Sequence, residues 1–283
     1  MIYPDIDPVA LALGPINVHW YGLSYMAAFL GGWWLARIRA AKLVNWDEKK
    51  VEDIIFFVVL GVILGGRIGY ILFYSFNDWL DDPIRLFRVW EGGMSFHGGL
   101  IGVLLAMFLF ARKHKTSFMD VTDFIAPMIP VGLFTGRLGN FINGELWGGP
   151  TDLPWGMQVS CEKFYYLCAN KLQLPPDALY SPALHPSQLY EAFLEGILLF
   201  IILWLYSSKK PPKMAVSGAF LLFYGIFRSA VEFVRMPDTH IGYLWGDWIT
   251  MGQTLSAPMI IAGGFFIYLA YAKNTTSNNE VVK

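Results

Sequence analysis

Long apolar stretches alternate with short polar ones along the whole chain. A helix needs roughly 20 mainly apolar residues to cross about 30 Å of hydrocarbon, and the pattern predicts about seven such helices. Their predicted ranges are 16–36, 51–74, 94–111, 118–138, 187–206, 215–234 and 248–272. The sequence therefore predicts an all-α integral membrane protein in which residues 1–283 form a single polytopic domain.

The composition supports lipid as the solvent of this chain. Hydrophobic residues make up 55% of the 283 residues and charged residues 15%, whereas about 25% of a typical soluble domain is charged. The net charge of -1 gives no basic stripe for a nucleic-acid backbone, so no nucleic-acid partner is expected. The sequence also lacks the short nucleotide-binding and metal-binding motifs, so we expect no cofactor and no metal.

Lysine and arginine are distributed unevenly between the connections. One set of alternate connections is rich in them, with Arg37, Arg39, Lys42, Lys49, Lys50, Arg112, Lys113, Lys115, Lys209, Lys210 and Lys213, and the other holds Arg85, Arg88, Lys163 and Lys171. Because basic loops stay in the cytoplasm, we expect a periplasmic N-terminus and a cytoplasmic C-terminus. Residues 143–186 are then expected to form a periplasmic lid or small subdomain between the fourth and fifth spans.

Both cysteines of the chain, Cys161 and Cys168, lie in this outward segment. An oxidising compartment permits a disulfide there, but the spacing alone does not establish the geometry of one. A bonded pair and two unpaired thiols both stay open.

Several ionisable residues fall in the outer parts of the predicted spans, where burying a charge costs free energy and suggests a function. They are Arg67, His97, Arg137, Glu191, Arg228, Glu232 and Arg235. A structural ion-pair network is one explanation. However, two glutamates leave a surplus of positive charge, which favours an anion such as a phospholipid phosphate, because the planar guanidinium fork of arginine matches phosphate.

Glycines accompany these charges and imply close approach of the backbone. Helix packing through small residues is the explanation that we favour for Gly132 and Gly136. For the glycine pairs on either side of His97, at 92–93 and 98–99, we favour an irregular start of a helix, where a ligand approaches backbone N–H groups. Imidazole changes its charge near neutral pH, so acid–base chemistry is favoured for His97 over a structural role.

Residues 136–148, Gly-Arg-Leu-Gly-Asn-Phe-Ile-Asn-Gly-Glu-Leu-Trp-Gly, closely resemble the signature of the bacterial prolipoprotein diacylglyceryl transferases. Further blocks are similar to the pattern of that family, in the same order, at 19–23, 65–70, 95–100, 185–191, 224–228 and 231–233. The resemblance covers nearly the whole chain. The segment near Cys161 and Cys168 departs from the pattern and is the least transferable part.

The resemblance implies an enzyme of lipoprotein maturation. Such an enzyme transfers the sn-1,2-diacylglyceryl group of phosphatidylglycerol to the thiol of the lipobox cysteine in a prolipoprotein signal peptide, and releases glycerol phosphate. The implied location is the periplasmic leaflet of the bacterial inner membrane. The alternatives are a phospholipid transporter or flippase and a seven-helix receptor. A transporter favours binding groups near the midplane and internal repeats, and the sequence shows neither.

The residues and the resemblance together assign roles. We expect His97 to be the catalytic base for the thiol, and Arg137 and Arg228 to hold the phosphate and stabilise its developing charge. The expected substrate-binding residues are Tyr21, Arg67, Gly98, Gly99, Asn140, Asn143, Glu145, Gly148, Tyr224, Glu232 and Arg235.

Among these, the two asparagines are expected to donate hydrogen bonds to lipid oxygens. Glu145 and Glu232 are expected to orient the arginines, and Tyr21 and Arg67 to contact the headgroup. A purely structural role stays open for these last four residues.

Overall fold

The computed structural model describes all residues except 5, 15, 89–91, 238–241, 247 and 282–283. The described chain falls into two compact units. The first contains Met1–Gly32 and Ala126–Lys283, and the second contains Trp33–Ile125.

Helices dominate both units. The α-helices are α1 (Trp20–Ala40), α2 (Glu48–Tyr74), α3 (Phe76–Asp81), α4 (Phe96–Lys113), α5 (Phe118–Ile125), α6 (Ile129–Asn143), α7 (Ser187–Glu191), α8 (Leu199–Ser208), α9 (Ala215–Glu232) and α10 (Met251–Val281). Short 3₁₀ turns cover Pro83–Phe87 and Ala126–Met128, and π-helical turns cover Leu167–Lys171 and Ala192–Leu198. The strands β1 (Val9–Leu13) and β2 (Ile16–His19) form an antiparallel hairpin.

Six helical segments of the described chain are long and apolar enough to cross a membrane. They are Glu48–Tyr74, Phe96–Lys113, Phe118–Asn143, Ser187–Ser208, Ala215–Glu232 and Met251–Lys273. The predicted first span corresponds to α1, a helix of 21 residues that is not among the six, because its tryptophans, tyrosines and glycines lower its hydropathy. The structure therefore confirms a helical integral membrane protein with several spans.

The start of the first predicted span is wrong. Residues 16–19 form β2 and not helix, and they pair with β1 in a register that places Val9 opposite His19 and Leu13 opposite Ile16. Apolar and polar side chains alternate along these four residues, which is the period of a strand. Helix α1 then begins at Trp20, whose N–H donates to the carbonyl of Pro8 over 3.0 Å.

The fourth predicted span, 118–138, is not one continuous helix. Helix α5 ends at Ile125, a 3₁₀ turn follows, and α6 begins at Ile129. Pro127 and Pro130 lie at this junction. Proline has no backbone N–H and its ring clashes with the preceding turn, so the α-helical hydrogen bonds are interrupted where these two residues occur.

In the second unit, α2 and α4 pack backbone to backbone along glycines. A Cβ placed on Gly61 would lie 2.6 Å from the carbonyl oxygen of Gly102, and one on Gly69 would lie 2.6 Å from the Cα of Gly98. The contact between α2 and α4 continues through Ile54, Met107 and Phe110. These residues lie at the end of the two helices that the sequence predicts to be cytoplasmic. These facing glycines, Gly61 and Gly69 on α2 with Gly98 and Gly102 on α4, form a glycine stripe that sets the distance between the two helices.

The described packing of two glycines differs from the packing that we favoured for them. Gly98, for which we favoured ligand approach, packs against Gly65 and Gly69 of α2. Gly136, for which we favoured helix packing, has no described atom within 4 Å of the position of a Cβ. Glycine spacing alone did not tell which face of each helix meets a neighbour.

In the first unit, α8 and α9 share a core of Leu199, Leu203 and Ala219, and α10 packs on α9 where Gly218 faces Gly263. Residues 143–186 are held by isolated bridges and by a second core that contains Tyr3, Trp147, Val159 and Leu184. Cys161 and Cys168 form a disulfide with Cα atoms 5.6 Å apart, which answers the question that their spacing left open.

We expect Gly102→Ala to lower the thermal stability of the protein. The new methyl group would overlap the carbonyl of Gly61, and overpacking of this kind costs about 1–3 kcal/mol. Gly264→Ala is the matched control, because Gly264 lies within α10 and no described atom outside its own helix lies within 4 Å of its Cβ position. Thermal unfolding in detergent measures both, and an equal Tm for the two variants would show that the glycine stripe does not limit helix approach.

Candidate functional site

Three arginines of the first unit converge on one carboxylate. Glu191, at the end of α7, is completely buried, and its Oε1 pairs with Nη1 of Arg228 and with Nη1 of Arg235, the latter at 3.0 Å. Its Oε2 lies 3.1 Å from Nε of Arg137 on α6. A buried carboxylate is stable only when paired, so these contacts fix the mutual positions of three guanidinium groups.

A second carboxylate, Glu232, supports the arginines of α9. It pairs with Nη2 of Arg228, and its Oε1 lies 3.8 Å from Nε of Arg235. The hydroxyl of Thr250 donates to its other oxygen over 2.6 Å. Gly252 leaves the space that this carboxylate occupies, since a Cβ there would lie 2.6 Å from Cδ of Glu232. The expected contact between Glu232 and the arginines is thus present.

A third carboxylate, Glu195, belongs to the cluster and was not predicted from the sequence. Its side chain is completely buried, and its Oε2 lies 3.6 Å from Nη2 of Arg137. With it, the cluster in the first unit consists of Arg137, Arg228 and Arg235 with Glu191, Glu195 and Glu232. Three positive and three negative groups balance, so the predicted surplus of positive charge is wrong for these residues. An acid four residues after Glu191 in an apolar span was the available signal.

Local helix geometry places the two acids of this span together. Glu191 ends α7, and Glu195 lies in the π-helical turn Ala192–Leu198 that follows. π-Helical turns are rare and occur frequently at functional sites. Gly196 lets α6 approach this turn, since a Cβ on it would lie 2.7 Å from the Cβ of Phe134. That approach brings Arg137, one turn further along α6, to the two carboxylates.

Two asparagines of α6 are organised by Glu145. Nδ2 of Asn140 donates to Oε1 of Glu145 over 3.0 Å, and Nδ2 of Asn143 donates to the same oxygen over 3.2 Å. Nη1 of Arg137 donates to Oδ1 of Asn140 over 3.5 Å. Glu145 therefore orients the asparagines directly, and it reaches Arg137 through Asn140. Each amide keeps a second N–H for another acceptor.

Two tyrosines lie near this cluster. Tyr21 on α1 packs against Gly139, where a Cβ would lie 3.0 Å from its ring, and its hydroxyl is 3.4 Å from that of Tyr25. Tyr224 lies one turn before Arg228 on α9, packs against the core of Leu199, Leu203 and Ala219, and stacks on the ring of Phe220. Both tyrosines are among the residues that the sequence predicts to bind substrate.

Gly148 is required by close packing of the backbone. A Cβ on it would lie 2.5 Å from the carbonyl oxygen of Val234 and 2.7 Å from the Cβ of His185. Its N–H donates to the carbonyl of His185 over 2.9 Å, and it forms a bridge with Arg235. Gly148 thus holds the residues after α9, including Arg235, in place.

Arg67 lies in the second unit, and its described hydrogen bonds hold the backbone of the protein. Its guanidinium donates to five backbone carbonyls, those of Arg85, Leu86, Arg88, Gly92 and Gly93. A guanidinium has five N–H groups, so its donors are all used. Of the two roles that the sequence left open, the structural one is visible in these hydrogen bonds, which hold residues 85–88 and 92–93 in place.

His97 lies in the first turn of α4. Ser95 caps this helix by accepting a hydrogen bond from the N–H of Gly98 over 3.2 Å. The imidazole is exposed, and its ring contacts that of Phe96 edge to face with centroids 5.6 Å apart. The predicted irregular start is limited to the residues before 95, because 96–99 are already helical.

The structure thus groups most of the predicted residues within its first unit: Tyr21, Arg137, Asn140, Asn143, Glu145, Gly148, Tyr224, Arg228, Glu232 and Arg235. The predicted residues of the second unit are Arg67, His97, Gly98 and Gly99. Chemically, the cluster of Arg137, Arg228 and Arg235 with Glu191, Glu195 and Glu232 combines balanced formal charge with an excess of N–H donors, because each guanidinium has five. Such a group suits an anion that accepts several hydrogen bonds.

Comparison with known proteins gives a consistent family. The family described as prolipoprotein diacylglyceryl transferase matches residues 8–269. A phosphatidylglycerol–prolipoprotein diacylglyceryl transferase of Methylococcus capsulatus is 53% identical over 277 residues, covering 97% of this chain and 99% of the relative. Relatives with the same name from Pseudomonas entomophila and Pseudomonas putida are each 51% identical over 280 residues, covering 99% of both chains. The chain belongs to the prolipoprotein diacylglyceryl transferase family.

Proposed function

We propose that this chain transfers the sn-1,2-diacylglyceryl group of phosphatidylglycerol to the thiol of the lipobox cysteine of a prolipoprotein, the first step of lipoprotein maturation. The observation that carries the proposal is the full-length identity of about one half to relatives with that name. The arginine cluster on Glu191 supports it, because it supplies the donors that a phosphodiester accepts. Glycerol phosphate is the other product.

The reaction is a substitution at the glycerol carbon that carries the phosphate. The cysteine sulfur forms the new C–S bond, the C–O bond to phosphate breaks, and the phosphate oxygen keeps the electron pair. Arg137 and Arg228 hold the phosphate and stabilise the charge that develops on it. Glu191 contacts both guanidinium groups and Glu232 contacts that of Arg228, so both groups are in place before the bond breaks and little reorganisation accompanies this step. Asn140 and Asn143 offer their second N–H groups to lipid oxygens.

We propose His97 as the base that removes the thiol proton. A free cysteine thiol has a pKa of about 8.5, so little thiolate is present near neutral pH, and the thiolate is the nucleophile. The exposed ring of His97 makes no hydrogen bond with the described residues and has a nitrogen available for this proton. Tyr21, Gly99, Tyr224 and Arg235 are proposed to shape the substrate site.

We further propose seven spans, with α1 as the first, a periplasmic N-terminus and a cytoplasmic C-terminus in the bacterial inner membrane. The basic residues between α1 and α2 and after α4 and α8 support this orientation. The disulfide Cys161–Cys168 also supports it, because disulfides persist in oxidising compartments. Residues 143–186 would then be periplasmic.

A phospholipid transporter or flippase, one of the two alternatives that the sequence left open, is not supported. The relatives at about half identity are named as transferases. The arginine cluster gives no observation that favours transport over transfer.

We expect the purified protein to add a diacylglyceryl group to a lipobox peptide in the presence of phosphatidylglycerol and to release glycerol phosphate. Mass spectrometry of the peptide and a phosphate-ester assay measure the two products. The matched control is the same peptide with its cysteine replaced by serine, which should gain no mass. Folded protein that binds phosphatidylglycerol without modifying the peptide would contradict the proposed activity.

We expect His97→Gln to abolish transfer and to leave phosphatidylglycerol binding intact, because the base acts on the thiol and not on the lipid. Arg137→Ala should impair both, because it removes a phosphate ligand. His114→Gln is the control, since His114 follows the opposite end of α4 and pairs with Asp53. Turnover and lipid binding are measured on each variant. Full turnover of His97→Gln would eliminate His97 as the base.

We expect a membrane-impermeant maleimide to label Asp177→Cys, but not Val44→Cys, in intact spheroplasts. Both positions are exposed in the structure, Asp177 in the proposed periplasmic segment and Val44 in the basic connection after α1. The two native cysteines form a disulfide and should not react. Labelling of Val44→Cys before permeabilisation would overturn the proposed orientation.

A further inference from the structure

Glu195 is the buried carboxylate whose partners are fewest. Its side chain is fully buried, and neither Oε1 nor Oε2 has a hydrogen-bond partner among the described residues. Its closest ionic contact is Nη2 of Arg137, at 3.6 Å. Glu191, four residues earlier, contacts three arginines. The two acids of one helical segment therefore differ in their ionic contacts, three arginines for Glu191 and one for Glu195.

A carboxylate in this state does not stabilise the fold well. Burying a charge is unfavourable unless close hydrogen bonds replace the lost water, and a buried polar group left unsatisfied calls for an explanation. An apolar residue at position 195 would pack against α6 without that cost, and the neighbouring Gly196 already provides close contact with Phe134. Fold stability therefore gives no reason for an acid here.

The edge of Arg137 that faces the two acids gives a reason. Nε lies 3.1 Å from Oε2 of Glu191 and Nη2 lies 3.6 Å from Oε2 of Glu195, so the side edge of the guanidinium, which these two nitrogens form, lies beside two carboxylates. Nη1 donates one hydrogen bond to Asn140. One N–H on Nη1 and both on Nη2 make no hydrogen bond with the described residues, and the Nη1–Nη2 edge is the fork that matches two phosphate oxygens.

We propose that Glu195 is a positioning residue that fixes the plane of the Arg137 guanidinium, so that its Nη1–Nη2 edge faces the phosphate of the lipid donor. The inference rests on the proposed function, in which Arg137 holds that phosphate. Glu191 contacts the guanidinium at Nε, and Asn140 accepts from Nη1 only at the long distance of 3.5 Å. Glu195 adds a charged contact at Nη2, and this third point fixes the plane. Its unsatisfied burial is the cost in stability of that orientation.

The test compares Glu195→Gln with the wild-type protein in turnover and in thermal unfolding. The amide keeps the shape and removes the charge that attracts Nη2. We expect kcat/KM to fall by on the order of 10-fold to 100-fold, since misplacement of a catalytic group by about 1 Å costs about 100-fold, with most of the loss in kcat because the charge on phosphate grows as the bond breaks. We expect Tm to stay equal or to rise.

Two further variants complete the test. Glu162→Gln makes the same chemical change at an exposed position and should leave both quantities unchanged. Glu195→Asp keeps the charge but withdraws it by one methylene, so its kcat/KM should lie between those of wild type and Glu195→Gln; if Glu195→Gln does not fold, wild-type kinetics of Glu195→Asp overturn the inference.

Each outcome has one meaning. A kcat/KM of Glu195→Gln within twofold of wild type overturns the inference, and so does a loss of activity that comes with a clearly lower Tm, which a structural ion pair predicts. Wild-type protein that transfers nothing to the lipobox peptide contradicts the proposed function instead, so the two failures are distinguishable.

Discussion

The arrangement of the candidate site depends on the burial of Glu191. A carboxylate with no contact with solvent must be neutralised and hydrogen-bonded, and here Arg137, Arg228 and Arg235 do this together. These arginines come from α6, from α9 and from the residues after α9, so one side chain ties three parts of the chain to α7. Because breaking any of these contacts weakens the compensation of a buried charge, the cluster is held rigid before any ligand arrives.

Much of the fold and of the site follows from sequence because local rules decide it. The apolar runs alone placed the spans after the first. A spacing of four residues, such as that of Arg228 and Glu232, puts two side chains on one face of a helix, and these two form an ion pair on α9. The glycine–arginine–asparagine block at 136–148 identified the family. In each case residues close in sequence, or apolar character summed over a window, carry the information.

The features that the sequence did not predict depend on contacts between distant residues or on direction around a helix axis. Hydropathy summed over a window does not reveal that β1 and β2 pair. It also does not single out Glu195, which is one acid among many apolar neighbours. Arg67 was expected to meet a headgroup, and its five donors instead meet carbonyls 18 to 26 residues away in sequence. For Gly98 and Gly136, glycine indicated either helix packing or access to the backbone, and only the structure shows whether another helix lies against each residue.

The π-helical turn at Ala192–Leu198 lies within the span Ser187–Ser208. Because of this turn, the direction in which the side chains after it point is not set by the length of the span alone. An α-helix turns by about 100° per residue, and a π-helical turn accommodates an extra residue. Loss of one residue there would leave the span long enough and apolar enough to cross the bilayer, yet α8 would rotate by about 100° relative to Glu191. Lipid-facing side chains such as Ile201 and Leu205, exposed in the described structure, would turn toward the protein interior. Two homologous chains can therefore share a hydropathy profile and differ in whether this site can assemble.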